Sequence, residues 1–272
     1  MVCVQLGAVQ AKLLFPVLGT TGTAGLRVLF AAVLLLPFLR RGRERLRLPG
    51  IAAIGAYGIC LAAMNAVFYA ALDRLPLGPT VAIEFLGPLA LALLGSRRWP
   101  DLCWIGLAVL GLAFLLQPWR DLRHGFDPVG GLLALGAGGC WALYILAGRR
   151  LGRHVTGIRA TALGMGVAAA ALLPFSLPVL PDTVGHPRLL LGAIVMALAS
   201  SAIPYSIEMI AMRRLDMRVF AILMSLEPVI AALAGLFMLG ESLSAARWLA
   251  VLAIVAASLG SALTDPVPPE IG

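Results

Sequence analysis

Residues 74–88 read RLPLGPTVAIEFLGP, and residues 214–228 read RLDMRVFAILMSLEP. Laid side by side without a gap, they place Arg74 on Arg214, Leu75 on Leu215 and Pro88 on Pro228. Each leads from a basic residue into an apolar segment that carries one glutamate, Glu84 or Glu227, close to a proline. Two further matches extend the register. WIGLAVLGL (104–112) lies beside WLAVLAIVA (248–256) after a four-residue insertion. LRVLFAAVLLLPF (26–38) lies beside IRATALGMGVAAAALLPF (158–175), pairing Arg27 with Arg159 and Pro37 with Pro174. Each match is weak alone, and together they predict an internal duplication.

The 272 residues are 61% hydrophobic and 12% charged, where a soluble domain carries roughly a quarter charged. Crossing about 30 Å of hydrocarbon takes about 20 helical residues. Ten apolar stretches of suitable length are found: 1–18, 22–39, 49–71, 79–95, 102–118, 128–147, 157–179, 189–212, 219–238 and 247–264. The expectation is an all-α integral membrane protein without a soluble domain. Its units would be a first five-helix repeat over 1–118 and a second over 128–264. Five is odd, so the second copy must enter the membrane upside down, which is the inverted-repeat plan of secondary transporters with a site near the midplane.

The net charge of +8 reads as topology rather than as a nucleic-acid surface. Thirteen of the 21 Lys and Arg fall in alternate loops: Arg40, Arg41, Arg43, Arg45, Arg47, Arg97, Arg98, Arg149, Arg150, Arg153, Arg213, Arg214 and Arg218. The other loops hold Arg74, Arg120, Arg123, Arg188 and Arg247, which leaves Lys12, Arg27 and Arg159 in or at the ends of spans. The positive-inside rule then puts both termini in the cytoplasm.

An ionised group in hydrocarbon is costly and marks a function or a partner. Glu84 shares a helix face with Thr80, Gly87 and Pro88, and Pro88 frees the carbonyl of residue 84, making a polar notch. The duplication puts Glu227 and Pro228 at the matching depth of the ninth span. Gln5 and Lys12 are seven apart on one stripe of the first span. The third span offers Asn65 and Tyr69, and the sixth Trp141 and Tyr144. In the eighth, Ser201, Tyr205 and Glu208 surround a break expected at Pro204. This set suits a small zwitterion: Lys12 or Arg27 toward its carboxylate, Glu84, Glu208 or Glu227 toward its ammonium, aromatic rings closing the cavity.

Plainer readings stand beside these. Glu208 lies about one turn from Arg213 and suits a structural pair; Arg27 has the reach to snorkel to headgroups. Lys12 suits an ion pair, Trp141, Tyr69 and Tyr144 suit packing or an interfacial belt, and Asn65 suits an interhelix bond. The small-residue runs GAGG (136–139) and AALAG (231–235) read as close helix packing. Cys3, Cys60, Cys103 and Cys140 lack C-x-x-C or His spacing, and His124, His154 and His186 lie in loops. No disulfide frame, metal site, cofactor motif or hydrolytic triad is expected.

Four longer stretches carry a family resemblance: MNAVFYAALDRLPLGPTVAIEFLGPLALALLGSRR (64–98), ALGAGGCWALYILAG (134–148), SSAIPYSIEMIAMRRL (200–215) and SLEPVIAALAGLFMLGESL (225–243). Through them the chain resembles the EamA family of the drug/metabolite transporter superfamily over essentially its whole length. IEFLGPLA and PYSIEMIA resemble the bacterial amino-acid exporters within it. The resemblance implies ten helices in two inverted repeats, a central cavity, and efflux of threonine, homoserine or related small amino acids across a bacterial inner membrane, coupled to protons. It marks no single residue as the proton carrier. Family members usually have more residues ahead of QLGAVQAKLLFP, so the first helix is expected to lack its cytoplasmic half.

The mechanism expected is alternating access, with substrate ammonium and a proton competing for Glu84, Glu208 or Glu227. Export of another metabolite, a polyamine or a drug-like cation is the alternative, favoured if no cation faces the carboxylates. A multipass membrane enzyme is the remote one, and no reactive group or metal set supports it. The sequence leaves a monomer and a homodimer equally open.

Overall fold

A computed structural model describes residues 1–40, 47–94, 99–116, 127–155, 157–214 and 224–264. Arg41, Arg43, Arg45, Arg97, Arg98, Arg120, Arg123, His124, Arg218 and the start of the ninth span (219–223) lie outside the described residues, as do the side chains of Arg40, Arg213 and Arg214.

The described residues are helical throughout their spans. Helices α1 (Val2–Leu18) and α2 (Thr20–Leu35) are joined at Gly19, whose φ is 67°. A short 3₁₀ turn, Leu36–Arg40, ends α2 at Pro37. Helix α3 (Leu48–Arg74) leads into α4 (Leu77–Glu84), α5 (Leu86–Leu94) and α6 (Trp99–Leu116). The second half holds α7 (Pro128–Gly152), α8 (Gly157–Ser176), a short α9 (Leu180–Gly185), α10 (Pro187–Ala197), α11 (Ile203–Arg214), α12 (Glu227–Leu239) and α13 (Ala245–Thr264).

Helix starts follow local chemistry. Proline opens α3, α7 and α10, where its missing N–H costs nothing and its φ suits a first turn. Asp127 caps α7, accepting from the amides of Val129 (2.8 Å) and Gly130 (3.3 Å), and Arg74 donates to it at 3.1 Å. Against a desolvation that raises it, the Arg74 guanidinium and these two amides hold the Asp127 carboxyl below its ordinary value.

Five segments are long and apolar enough to cross a membrane: Thr20–Leu39, Leu48–Arg74, Pro128–Gly152, Gly157–Ser176 and Pro187–Ala211. Five shorter apolar helices accompany them: Val2–Leu18, Leu77–Leu91, Cys103–Leu112, Glu227–Leu239 and Ala245–Gly260. Each coincides with one of the ten apolar stretches of the sequence. Large apolar side chains point outward along them, including Leu132 (69% exposed), Leu249 (67%) and Phe237 (79%). Water would not tolerate such a continuous surface, whereas lipid requires it.

Helix pairs α3–α7, α6–α13, α2–α8, α3–α8 and α4–α12 make the main packing contacts. Small residues set their approach. A Cβ on Gly87 would meet the backbone of Gly138, and one on Gly138 would meet the Glu84 carbonyl at 2.5 Å. GAGG therefore does pack α7 closely against the α4–α5 junction. Gly78 likewise faces Ala232 of AALAG, its added Cβ falling 2.6 Å from the alanine's.

Two proline sites behave differently. At the α4–α5 junction Pro88 offers no N–H to the Glu84 carbonyl, while Phe85 stays in the ladder, its amide bonding the Val81 carbonyl at 2.9 Å and its own carbonyl accepting from the Leu89 amide at 3.2 Å. At Pro204 the expected break is instead one π-helical turn, Leu198–Ala202, between α10 and α11. Ile203 N–H reaches back to the Leu198 carbonyl, so the wider turn accommodates the proline and the chain continues as helix.

Candidate functional site

A cavity of about 340 Å³ lies among α1, α2, α3, α4, α7, α11 and the start of α12. That volume is at the small end of the range for ligand pockets. Of the eleven residues singled out from the sequence, eight line it: Gln5, Arg27, Asn65, Glu84, Trp141, Tyr205, Glu208 and Glu227. Met64, Phe68, Val81 and Ile207 add apolar wall.

Arg27, only 3% exposed, comes from the middle of α2 and has no carboxylate among its hydrogen-bond partners. Its Nε donates to Ser201 Oγ (2.6 Å), one terminal nitrogen to Tyr69 Oη (3.1 Å), and the other to the Ser200 carbonyl (2.6 Å) and, at a long 3.4 Å, to Tyr205 Oη. Ser200 lies four residues before Pro204, so its carbonyl is one that the proline deprives of a helical donor. The guanidinium takes that vacancy. It also stands over the Tyr69 ring at 5.4 Å and the Tyr205 ring at 5.9 Å, geometry suited to cation–π attraction. These partners occupy four of its five N–H groups.

Three carboxylates face the same space. Glu84 ends α4 and is 8% exposed. Glu227 opens α12 and is 6% exposed, placed where the unsatisfied amides of a helix start favour negative charge. Gln5 Nε2 donates to Glu227 Oε1 at 3.1 Å. Glu208, on α11, is partly buried, and its Oε1 has no partner. Asn65 Nδ2 bonds the Leu61 carbonyl of its own helix at 2.8 Å.

The aromatic lining is itself supported. Tyr57 Oη donates to Tyr144 Oη at 3.1 Å, and the Tyr144 ring packs against Tyr205 tilted by 55°, with centroids 5.9 Å apart. Phe85 meets Trp141 edge to face at 5.8 Å. Tyr69 and Tyr144 therefore stand one layer behind the cavity, Tyr69 holding Arg27 and Tyr144 holding Tyr205.

Lys12 is placed elsewhere. Its Nζ ion-pairs with Glu241 and donates to the Leu75 carbonyl at 3.1 Å. Glu241 Oε2 accepts from the Leu77 amide at 2.7 Å, the first residue of α4. Gly240, with φ 67°, ends α12 in the left-handed conformation and turns Glu241 back under the helix, where its amide bonds the Gly235 carbonyl. This cluster ties α1, the α3–α4 link and the α12–α13 link together at one end of the bundle.

Sequence reasoning missed Glu241, although a lysine inside an apolar span demands a partner. The glycine immediately before that glutamate is the signal that was available. Tyr57, which lies in α3 without a charged neighbour in sequence, carried no such signal.

The EamA-like transporter family profile matches residues 128–263. A threonine/homoserine exporter, RhtA, of Salmonella typhimurium strain SL1344 is 44% identical over 268 residues, 98% of this chain and 90% of that protein. RhtA of Escherichia coli strain K12 is 43% identical over 97% of this chain and 89% of its own. One solved crystal structure, at 20% identity, superposes with a TM-score of 0.61 over 96% of each chain, a likeness of fold alone.

Proposed function

Since this chain belongs to the EamA-like transporter family, we propose that it exports threonine, homoserine or similar small amino acids across a bacterial inner membrane, by alternating access and in exchange for protons. The observation that carries the cargo is the cavity: one guanidinium and three carboxylates around about 340 Å³, opposite charges in a space suited to a small zwitterion.

Alternating access rests on symmetry. Ten crossings, in an inverted pair of five-helix units over 1–118 and 128–264, are supported by the packing pattern. Exchanging the halves returns α2–α8, α6–α13 and α4–α12 to themselves, turns the α3–α8 contact into α2–α10, and turns α3–α7 into the contact of α1 with the π turn. Interfaces that map onto one another can exchange roles, giving two states of similar energy.

The positive-inside pattern puts both termini in the cytoplasm. The cavity wall includes Met1, Ala211 and Met224, residues at the ends of their spans on that side, which supports reading this conformation as the inward-facing one. The Lys12–Glu241 cluster then closes the outer end. For coupling, a proton and a substrate ammonium compete for the same carboxylates, the simplest basis for antiport.

The surplus of carboxylates over cations supports one second reading, a cationic cargo such as a polyamine or drug-like amine. Efflux from proteoliposomes with and without a pH gradient separates the two. Gradient-driven release of labelled threonine or homoserine is expected; release of cations alone would overturn the amino-acid reading, and gradient-independent release would overturn antiport.

A further inference from the structure

We propose that Gln5, Glu227 and Glu208 form a receptor for one primary ammonium group, and that this pole decides which amines the cavity accepts. The proposal rests on the transport reading above and names the part of the ligand that the site recognises.

The observation is three acceptors without a donor. Gln5 is 2% exposed and Glu227 6%. Their mutual bond uses Gln5 Nε2 and Glu227 Oε1. An ionised carboxylate can only accept, so Gln5 must turn its NH₂ toward it and its oxygen away. That leaves Gln5 Oε1, Glu227 Oε2 and Glu208 Oε1 buried and unpartnered, on three residues that line the same cavity. Buried acceptors left unmet are costly, and charged ones more so.

The chemistry of the missing donor follows. Glu208 feels the negative charge of Glu227, and the Met1 ammonium acts on both from beyond ion-pair distance, so the complement is a cation. It must supply about three N–H groups from one centre, which a primary ammonium does. A quaternary ammonium supplies none, and an acylated nitrogen supplies one without charge. Arg27 does not fill the place, because its donors go to Ser200, Ser201, Tyr69 and Tyr205. The three acceptors come from α1, α11 and α12, so an ammonium seated among them would link the opening helix of one half to two helices of the other.

The test uses purified protein in nanodiscs and labelled threonine. Competitors are threoninol, which keeps the ammonium and lacks the carboxylate, N-acetylthreonine and N,N,N-trimethylthreonine. Threoninol is expected to compete, and the two N-blocked compounds to compete at least about tenfold more weakly than unlabelled threonine, the loss expected from one charge-assisted hydrogen bond or more. Equal competition by trimethylthreonine would overturn the ammonium receptor while leaving amino-acid binding intact. Glu227→Gln and Gln5→Met are each expected to weaken threonine at least about tenfold; the analogue series needs no variant, so misfolding of either cannot shelter the idea.

Absence of threonine binding by the wild type would refute the cargo instead. Thermal protection by butylammonium against tetramethylammonium then decides the receptor: selective protection by the primary amine supports it, and equal or no protection overturns it.

Discussion

Neutralising Glu241 tests whether the Lys12 cluster is a latch. In Glu241→Gln the side chain keeps its shape and one acceptor but loses its charge. Two bonds are affected: the ion pair to Lys12 and the acceptance from the Leu77 amide. Hydrogen bonds to charged groups contribute about 1.5–3 kcal/mol each. The side chains of Lys12 and Glu241 remain 25% and 14% exposed, so solvent screens part of this, and a total loss of about 1–2 kcal/mol is expected for the closed state. Lys12→Met should cost about the same. If the two act as one unit, the double variant should cost little more than either, a coupling of about 1 kcal/mol. A loss of 1.4 kcal/mol is about tenfold in the inward–outward equilibrium, so apparent threonine affinity from the cytoplasmic side should fall several-fold while affinity from outside holds or improves. Thermal unfolding in nanodiscs gives the coupling, and binding to inside-out and right-side-out vesicles gives the sidedness. Additive single effects, with coupling under about 0.3 kcal/mol, or equal losses on both faces, would refute the latch.

Glu84→Gln is expected to remove the pH-gradient dependence of efflux while the protein stays folded; unchanged coupling removes Glu84 from the proton path. Arg27→Lys should lower threonine binding at least about tenfold, because the three donors of an ammonium radiate from one atom and lack the planar fork that spans Ser201, the Ser200 carbonyl, Tyr69 and Tyr205; unaltered binding would show that the guanidinium geometry is dispensable. Gly87→Ala should destabilise by about 1–3 kcal/mol through collision with the Gly138 backbone, whereas Gly139→Ala, with open space around the added carbon, should be neutral or slightly stabilising by thermal unfolding; equal effects would refute the close contact.

The apolar stretches were legible because lipid leaves few alternatives: a span must be long, apolar and internally hydrogen-bonded. Eight cavity residues could be found because burial makes each of their polar groups expensive. Depth was harder to read. Gln5 and Lys12 sit on one stripe of α1, yet the former reaches Glu227 in the cavity and the latter reaches Glu241 at the bundle end. Seven helical residues span about 10 Å, enough to separate a site from a closure, and nothing local in the sequence says which partner lies at which level. Pro204 was misread for a related reason. A proline specifies that one helical hydrogen bond is absent, but whether the chain breaks or widens depends on what fills the vacancy, here a guanidinium from α2.

That vacancy links the irregular backbone to the polar site. A carbonyl inside a regular helix already accepts an amide and has only its second lone pair to offer a side chain, whereas one freed by proline can take a charged donor outright. Pro204 releases the Ser200 carbonyl and Arg27 is bonded there. Pro88 releases the carbonyl of Glu84, which bears on the closely packed Gly138. Pro228 follows Glu227 at the opening of α12. Pro16, inside α1, lies four residues after Lys12, which pairs with Glu241. The prolines thus mark polar structure of both kinds. A charge near a proline identifies a place where the membrane helix departs from self-sufficiency, and only the neighbour that fills the departure distinguishes a binding wall from a closure.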